Sequence, residues 1–130
     1  MRRVISTDKA PKAVGTYSQG IQAGGLVFTS GQLGIDPRTG KLAQAGFDQE
    51  ADRVLRNLEA VLEAGGSSLQ HVVKLTVYLT DLSNFPALND VFVKHFGKEP
   101  PARSTVQVVA LPLGAGVEIA AIGVVSSQTA

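Results

Sequence analysis

The stretch FDQEADRVLRNLEAVLEAGGSSLQHVVKLTVYL, Phe47 to Leu79, sets a helix directly before a strand and decides the fold class. Phe47, Ala51, Val54, Leu55, Leu58, Val61 and Leu62 recur at steps of three and four, which is one face of an α-helix. Asp48, Glu50, Asp52, Arg53, Arg56 and Glu59 take the other sides, and Gly65-Gly66 supplies the stop. Val72 to Leu79 then reads as a strand, with Val73, Leu75, Val77 and Leu79 on one face.

C-terminal to this unit, Asp81 to Asn84 is a turn and cap, and Pro86 suits the first turn of a second helix. That helix presents Phe85, Leu88, Phe92 and Phe96, and Gly97 ends it. Thr105–Leu111 and Val117–Val125 read as strands joined by a hairpin-sized connection, Pro112 to Gly116. N-terminally, Val4–Ser6 is a short strand and Asp8–Gly15 a loop. Tyr17–Gln22 and Leu26–Thr29 form a hairpin about Gly24-Gly25. Asp36-Pro37-Arg38-Thr39-Gly40 has the residue chemistry of a turn. The order β-β-α-β-α-β-β predicts an α+β domain over residues 1–130: a single mixed β-sheet with two α-helices on one face.

Composition narrows the chemistry. The chain has 130 residues and no cysteine, which excludes a disulfide scaffold, a zinc ribbon, an iron–sulfur site and a thiol nucleophile. Twelve basic and eleven acidic residues leave a net charge of +1, a weak field for nucleic acid or anionic lipid. No apolar run reaches the about 18–20 residues of a membrane span, and the opening MRRVISTDKAPK lacks a signal peptide's apolar core. A soluble cytoplasmic protein is expected. Residues are 44% hydrophobic but only 5% aromatic, so the apolar content is aliphatic. Val117–Val125 shows where the surplus lies. Val117, Ile119, Ala121 and Val125 alternate with Ala120, Ile122 and Val124, so both faces are apolar. Two helices cover one face. The other calls for a second copy of the chain, and a homo-oligomer follows.

No phosphate loop, dinucleotide fingerprint or nucleophile elbow is present. His71 and His95 stand 24 apart, without metal-ligand spacing, and read as surface or satisfied polar residues. Glu118 stands out as the only charge between Arg103 and the C-terminus. Two readings of it are open. At the strand's start, near the turn, it points into water, which the position slightly favours. Alternatively, its apolar neighbours desolvate it and make it a functional acid. Arg103 follows the rigid lead Pro100-Pro101-Ala102, and a guanidinium on a stiff stem suits bidentate capture of a carboxylate. A surface arginine at a strand start is the alternative. Antiparallel pairing of their strands would put Arg103 and Glu118 at opposite ends, so a shared site would need a subunit interface. Gly15–Gly20 and Thr29–Gln32 offer hydroxyls, a phenol and backbone amides near strand ends, or plain turn chemistry.

Taken together, these segments resemble the Rid family (reactive intermediate deaminases, also called the YjgF or translation-inhibitor-like family). The resemblance rests on Pro101-Ala102-Arg103-Ser104-Thr105-Val106, Ala10-Pro11, Gly15-Thr16-Tyr17-Ser18-Gln19, Thr29-Ser30-Gly31-Gln32, Asp36-Pro37 with Thr39-Gly40, Asn57-Leu58 to Gly65-Gly66, and Val117-Glu118-Ile119. It covers essentially the whole chain. It implies a chorismate-mutase-like fold and a homotrimer with open sheet faces packed inward and small carboxylates bound in intersubunit clefts. The implied activity is hydrolysis of enamines and imines, such as 2-aminoacrylate and 2-iminopropionate, to 2-oxo acids and ammonia, without a cofactor or metal. By motif position, Arg103 would clamp the substrate carboxylate, Glu118 would hold and polarise water, and Tyr17 would assist. Ser30, Gly31 and Asn89 would shape the pocket, and Thr105, often cysteine in the family, would give a backbone contact. Thr16 departs from the proline that many members carry before the tyrosine. The resemblance also leaves room for a non-catalytic carboxylate-binding or regulatory trimer and for an RNA-directed activity, as ribonuclease or translation inhibitor. The weak charge and few aromatics argue against an RNA surface.

Overall fold

The computed structural model describes residues 1–126; the last four positions of the expected 1–130 domain lie outside the described residues. Eight strands and two helices follow in order: β1 (Arg2–Ile5), β2 (Gly20–Ala23), β3 (Leu26–Thr29), β4 (Ile35–Asp36), β5 (Lys41–Leu42), α1 (Phe47–Ala64), β6 (Val72–Leu79), α2 (Phe85–Phe96), β7 (Ala102–Gln107) and β8 (Val117–Val124). Six strands form one mixed sheet in the order β1-β2-β3-β8-β6-β7, and β4 pairs with β5 around the Asp36–Gly40 turn. The α+β expectation holds, with both helices on one face.

Helix α1 buries the face read from the sequence: Ala51, Val54, Leu55, Leu58, Val61 and Leu62. They pack on the inward residues of β8 and β6, namely Val117, Ile119 and Ala121 with Leu75, Val77 and Leu79. Aliphatic side chains of similar size fill this layer at a hydrophobic gain of roughly 1.5–3 kcal/mol each. Helix α2 contributes Leu88, Val91 and Phe92, with Phe96 edge-on to Phe92 at 5.5 Å. The Asp81 carboxylate accepts the Ser83 amide at 2.9 Å and caps the turn ahead of α2.

Three expectations change. Thr105–Leu111 and Val117–Val125 do not form a hairpin. β7 begins earlier, at Ala102, and pairs parallel with β6, while β8 inserts between β3 and β6. A parallel neighbour needs a crossover, and α2 supplies it between β6 and β7. Tyr17 precedes β2 rather than opening it, because the chain from Thr16 to Gln19 is irregular. The first strand spans Arg2–Ile5 instead of Val4–Ser6.

The second face of the sheet is open. Alternation along β8 turns Val117, Ile119 and Ala121 to the helices and Glu118, Ala120, Ile122 and Val124 away. Ile122 continues across the sheet through Phe28, Ile21 and Val4, which are opposed in register. The aliphatic surplus therefore lies on a surface that none of the described residues covers.

Candidate active site

Two separate cavities carry the singled-out residues. The first, of about 440 Å³, lies beside the edge strand β7 and is lined by Arg103, Asn89, Phe92, Leu75 and Pro101 among others. The Pro100-Pro101 lead brings the chain straight into β7. Arg103 pairs with Leu75, a buried residue of the helix-facing row, so its side chain rises on the helix side toward α2. There the guanidinium lies between Phe85 and Phe92, 5.0 and 5.2 Å from the ring centroids. Its Nη1 donates to Asn89 Oδ1 at 2.9 Å. Stacked rings and one anchored donor fix the plane of the fork. Its other N–H groups have no partner among the described residues. Burial lowers its pKa from the usual arginine value, but a guanidinium stays charged.

The second cavity, of about 670 Å³, holds Glu118, Tyr17, Ser30 and Gly31. Glu118 pairs with Tyr78 on the open face of the sheet. It makes no hydrogen bond or ion pair with any described residue, and partial burial raises its pKa above the ordinary 4.5. The sequence's open question about Glu118 thus resolves toward a half-desolvated acid. Gln32 and Ile119 exchange backbone hydrogen bonds of 2.8 and 3.1 Å, which lays the Ser30–Gln32 segment against the start of β8. Gly31 then sits so close to Glu118 that a Cβ there would overlap Oε2 and lie 2.8 Å from Cδ. The Glu50 carboxylate reaches from α1 to accept the Gly116 amide at 2.7 Å, two residues before Glu118.

Tyr17 is half exposed, and its hydroxyl accepts the Val14 amide at 3.3 Å, leaving the phenolic hydrogen free to donate. Ser30 lines the cavity, but its hydroxyl donates to the Ser18 carbonyl and its amide to Gln19 O at 2.9 Å. Thr105 stands on β7 with a buried hydroxyl that has no partner among the described residues. The structure therefore brings Arg103 with Asn89, and Glu118 with Tyr17, Ser30 and Gly31, but it does not bring the two groups together within one chain.

Four contributors have roles that the sequence does not reveal. Phe85 and Phe92 read in the sequence only as an apolar helix face, yet the Arg103 guanidinium lies over both rings. Gln19 is buried and ties the loop before Tyr17: its Oε1 accepts the Thr7 amide at 2.7 Å and its Nε2 donates to Pro11 O at 2.7 Å. Asn57, inside the apolar face of α1, donates to Leu33 O at 3.0 Å and Ile35 O at 2.8 Å and so holds one wall of the Glu118 cavity. A lone polar residue inside an apolar helical face was the available signal.

Comparison with known proteins shows what the chain and its fold are similar to. The family model for endoribonuclease L-PSP matches residues 7–125. Protein DfrA of Myxococcus xanthus is 50% identical over 125 residues, covering 95% of each chain. The 2-iminobutanoate/2-iminopropanoate deaminase of Capra hircus is 47% identical over 124 residues, 95% of this chain and 90% of that one. The crystal structure of RidA from an Antarctic Psychrobacter superposes with a TM-score of 0.90 at 52% identity, covering 94% of this chain and 98% of that one.

Proposed function

The chain belongs to the endoribonuclease L-PSP family, the Rid family of the sequence resemblance, and from that premise we propose that it hydrolyses small 2-imino acids to 2-oxo acids and ammonia. The observation that carries this reading is Glu118: a partly desolvated carboxylate without a partner among the described residues, lining a largely aliphatic cavity. A carboxylate whose pKa is raised above its ordinary value is a stronger base toward water.

The reaction asks little else of the protein. An imine carbon is already electrophilic. The fixed fork of Arg103 binds the substrate carboxylate and sets the orientation of that carbon. Water adds to C2 while Glu118 takes its proton, and the electron pair of the C=N bond moves to nitrogen, which is protonated. The resulting carbinolamine expels ammonia, and its hydroxyl becomes the 2-oxo group. The Tyr17 hydroxyl is free to donate to the polar atoms at this centre. An enamine substrate first takes a proton at C3 and then follows the same course.

The position of the two groups adds a structural term. Arg103 and Glu118 face opposite sides of the sheet, β7 is an edge strand, and the open face is aliphatic. A second copy packed against that face and edge joins one chain's Glu118 cavity to the other's Arg103. This supports the homotrimer with intersubunit sites. The same reading carries the cytoplasmic placement, and it requires no cofactor.

The test is ammonia release from a panel of imines generated in situ by an amino-acid oxidase. Turnover above the spontaneous rate, abolished in Arg103→Ala with assembly intact, supports the reading. Equal release by Arg103→Ala and the wild type contradicts the role of Arg103. Ligand binding without rate enhancement would favour a regulatory trimer.

A further inference from the structure

Leu113 has the only positive φ of a non-glycine residue among the described residues, at φ 61 and ψ 17. In that region Cβ crowds the backbone, and glycine or asparagine ordinarily occupies it. Burial does not compensate, because the side chain is 69% exposed. The ends of the loop hold the conformation. Ala115 is buried and donates its amide to Pro112 O at 3.1 Å, and Gly116 is fastened to Glu50. Strain that the surroundings enforce concentrates where it serves a site.

Leu113 stands on the rim of the Glu118 cavity. It extends an aliphatic wall made by Val14, Leu33, Ile35 and Pro112. A polar αL residue would interrupt that wall where it meets solvent. We propose that Leu113 is a specificity-determining residue that packs on the substrate's side chain and selects 2-imino acids with long aliphatic side chains, such as the leucine-derived imine, over the alanine-derived one. This rests on the deaminase reading and names the substrate class within it. Glu118 takes the proton and Leu113 carries no polar side-chain atom, so Leu113 acts on side-chain recognition and not on proton transfer.

The experiment measures kcat/KM for leucine-derived and alanine-derived imines in the wild type, Leu113→Gly and Leu113→Asn. Both substitutions tolerate the backbone angle and remove the aliphatic surface. The ratio of the two values is expected to fall about tenfold in both variants, the size of effect that lost apolar packing gives in a pocket. An unchanged ratio, or a fall in Leu113→Gly alone, which would report loop flexibility, overturns the proposal. A wild type that accelerates neither imine removes the deaminase reading and this inference with it. An active wild type with unaltered ratios in the variants removes only the inference.

Discussion

Arg103 and Glu118 lie on opposite faces of one sheet, with β6 between their strands. Each is set for chemistry that it cannot complete with the other in the same chain. Arg103 has an anchored fork and open donors; Glu118 has a raised pKa and no side-chain partner among the described residues.

The closeness of Gly31 to Glu118 separates activity from stability. A Cβ at position 31 would displace the end of a flexible side chain rather than the backbone. Gly31→Ala is therefore expected to lower kcat/KM about tenfold or more, since a misplaced base loses its geometry to water. The melting temperature should change by only a few degrees. Steady-state kinetics and thermal unfolding on the same preparation check both.

Glu118 also sets a pH dependence. Its pKa is raised in the folded chain, so activity that needs the carboxylate should fall on acidification around a midpoint above 4.5. For stability the sign is opposite. A raised folded pKa contributes stability that is fully present below about 4.5 and lost as pH rises through the folded value. Glu118→Gln should therefore be more stable than the wild type at neutral pH, and the difference should vanish at acid pH. Denaturant titrations at several pH values measure the difference.

Asn57 supports the wall of the Glu118 cavity through two carbonyls. Asn57→Ala leaves the Leu33 and Ile35 carbonyls without their donor, at an expected cost of about 2–4 kcal/mol. Asn57→Asp should fare no better, because it places a carboxylate against two carbonyl oxygens. Urea unfolding gives the cost directly.

Local periodicity made much of the fold legible. The seven apolar positions of α1 and the alternation of β6 from Leu75 to Leu79 needed only the steps of 3.6 and 2 that those structures impose, whereas Val73, expected in that row, is turned out by a bulge between Val72 and Lys74. Strand pairing was harder. Pro112 to Gly116 has the length of a hairpin loop, and nothing in the local sequence says that β8 instead inserts between β3 and β6. That choice is made by long-range packing under α1. The site was legible as residue types and only in part as an arrangement. Arg103 stood out by its proline lead and Glu118 by its isolation. The stacking of Phe85 and Phe92 on Arg103, the glycine floor under Glu118 and the strained Leu113 depend on tertiary placement and leave no pattern in a single sequence.

The central claim is that one chain's Arg103 and another's Glu118 make a single hydrolytic site. Subunit complementation tests it most directly. Arg103→Ala and Glu118→Gln are each expected to be inactive alone. Mixed in equal amounts into hybrid trimers, they should regain about a quarter of wild-type imine hydrolysis, because one site in four then draws both functional residues. Hybrid trimers that form, shown by mass, yet stay inactive would contradict the account.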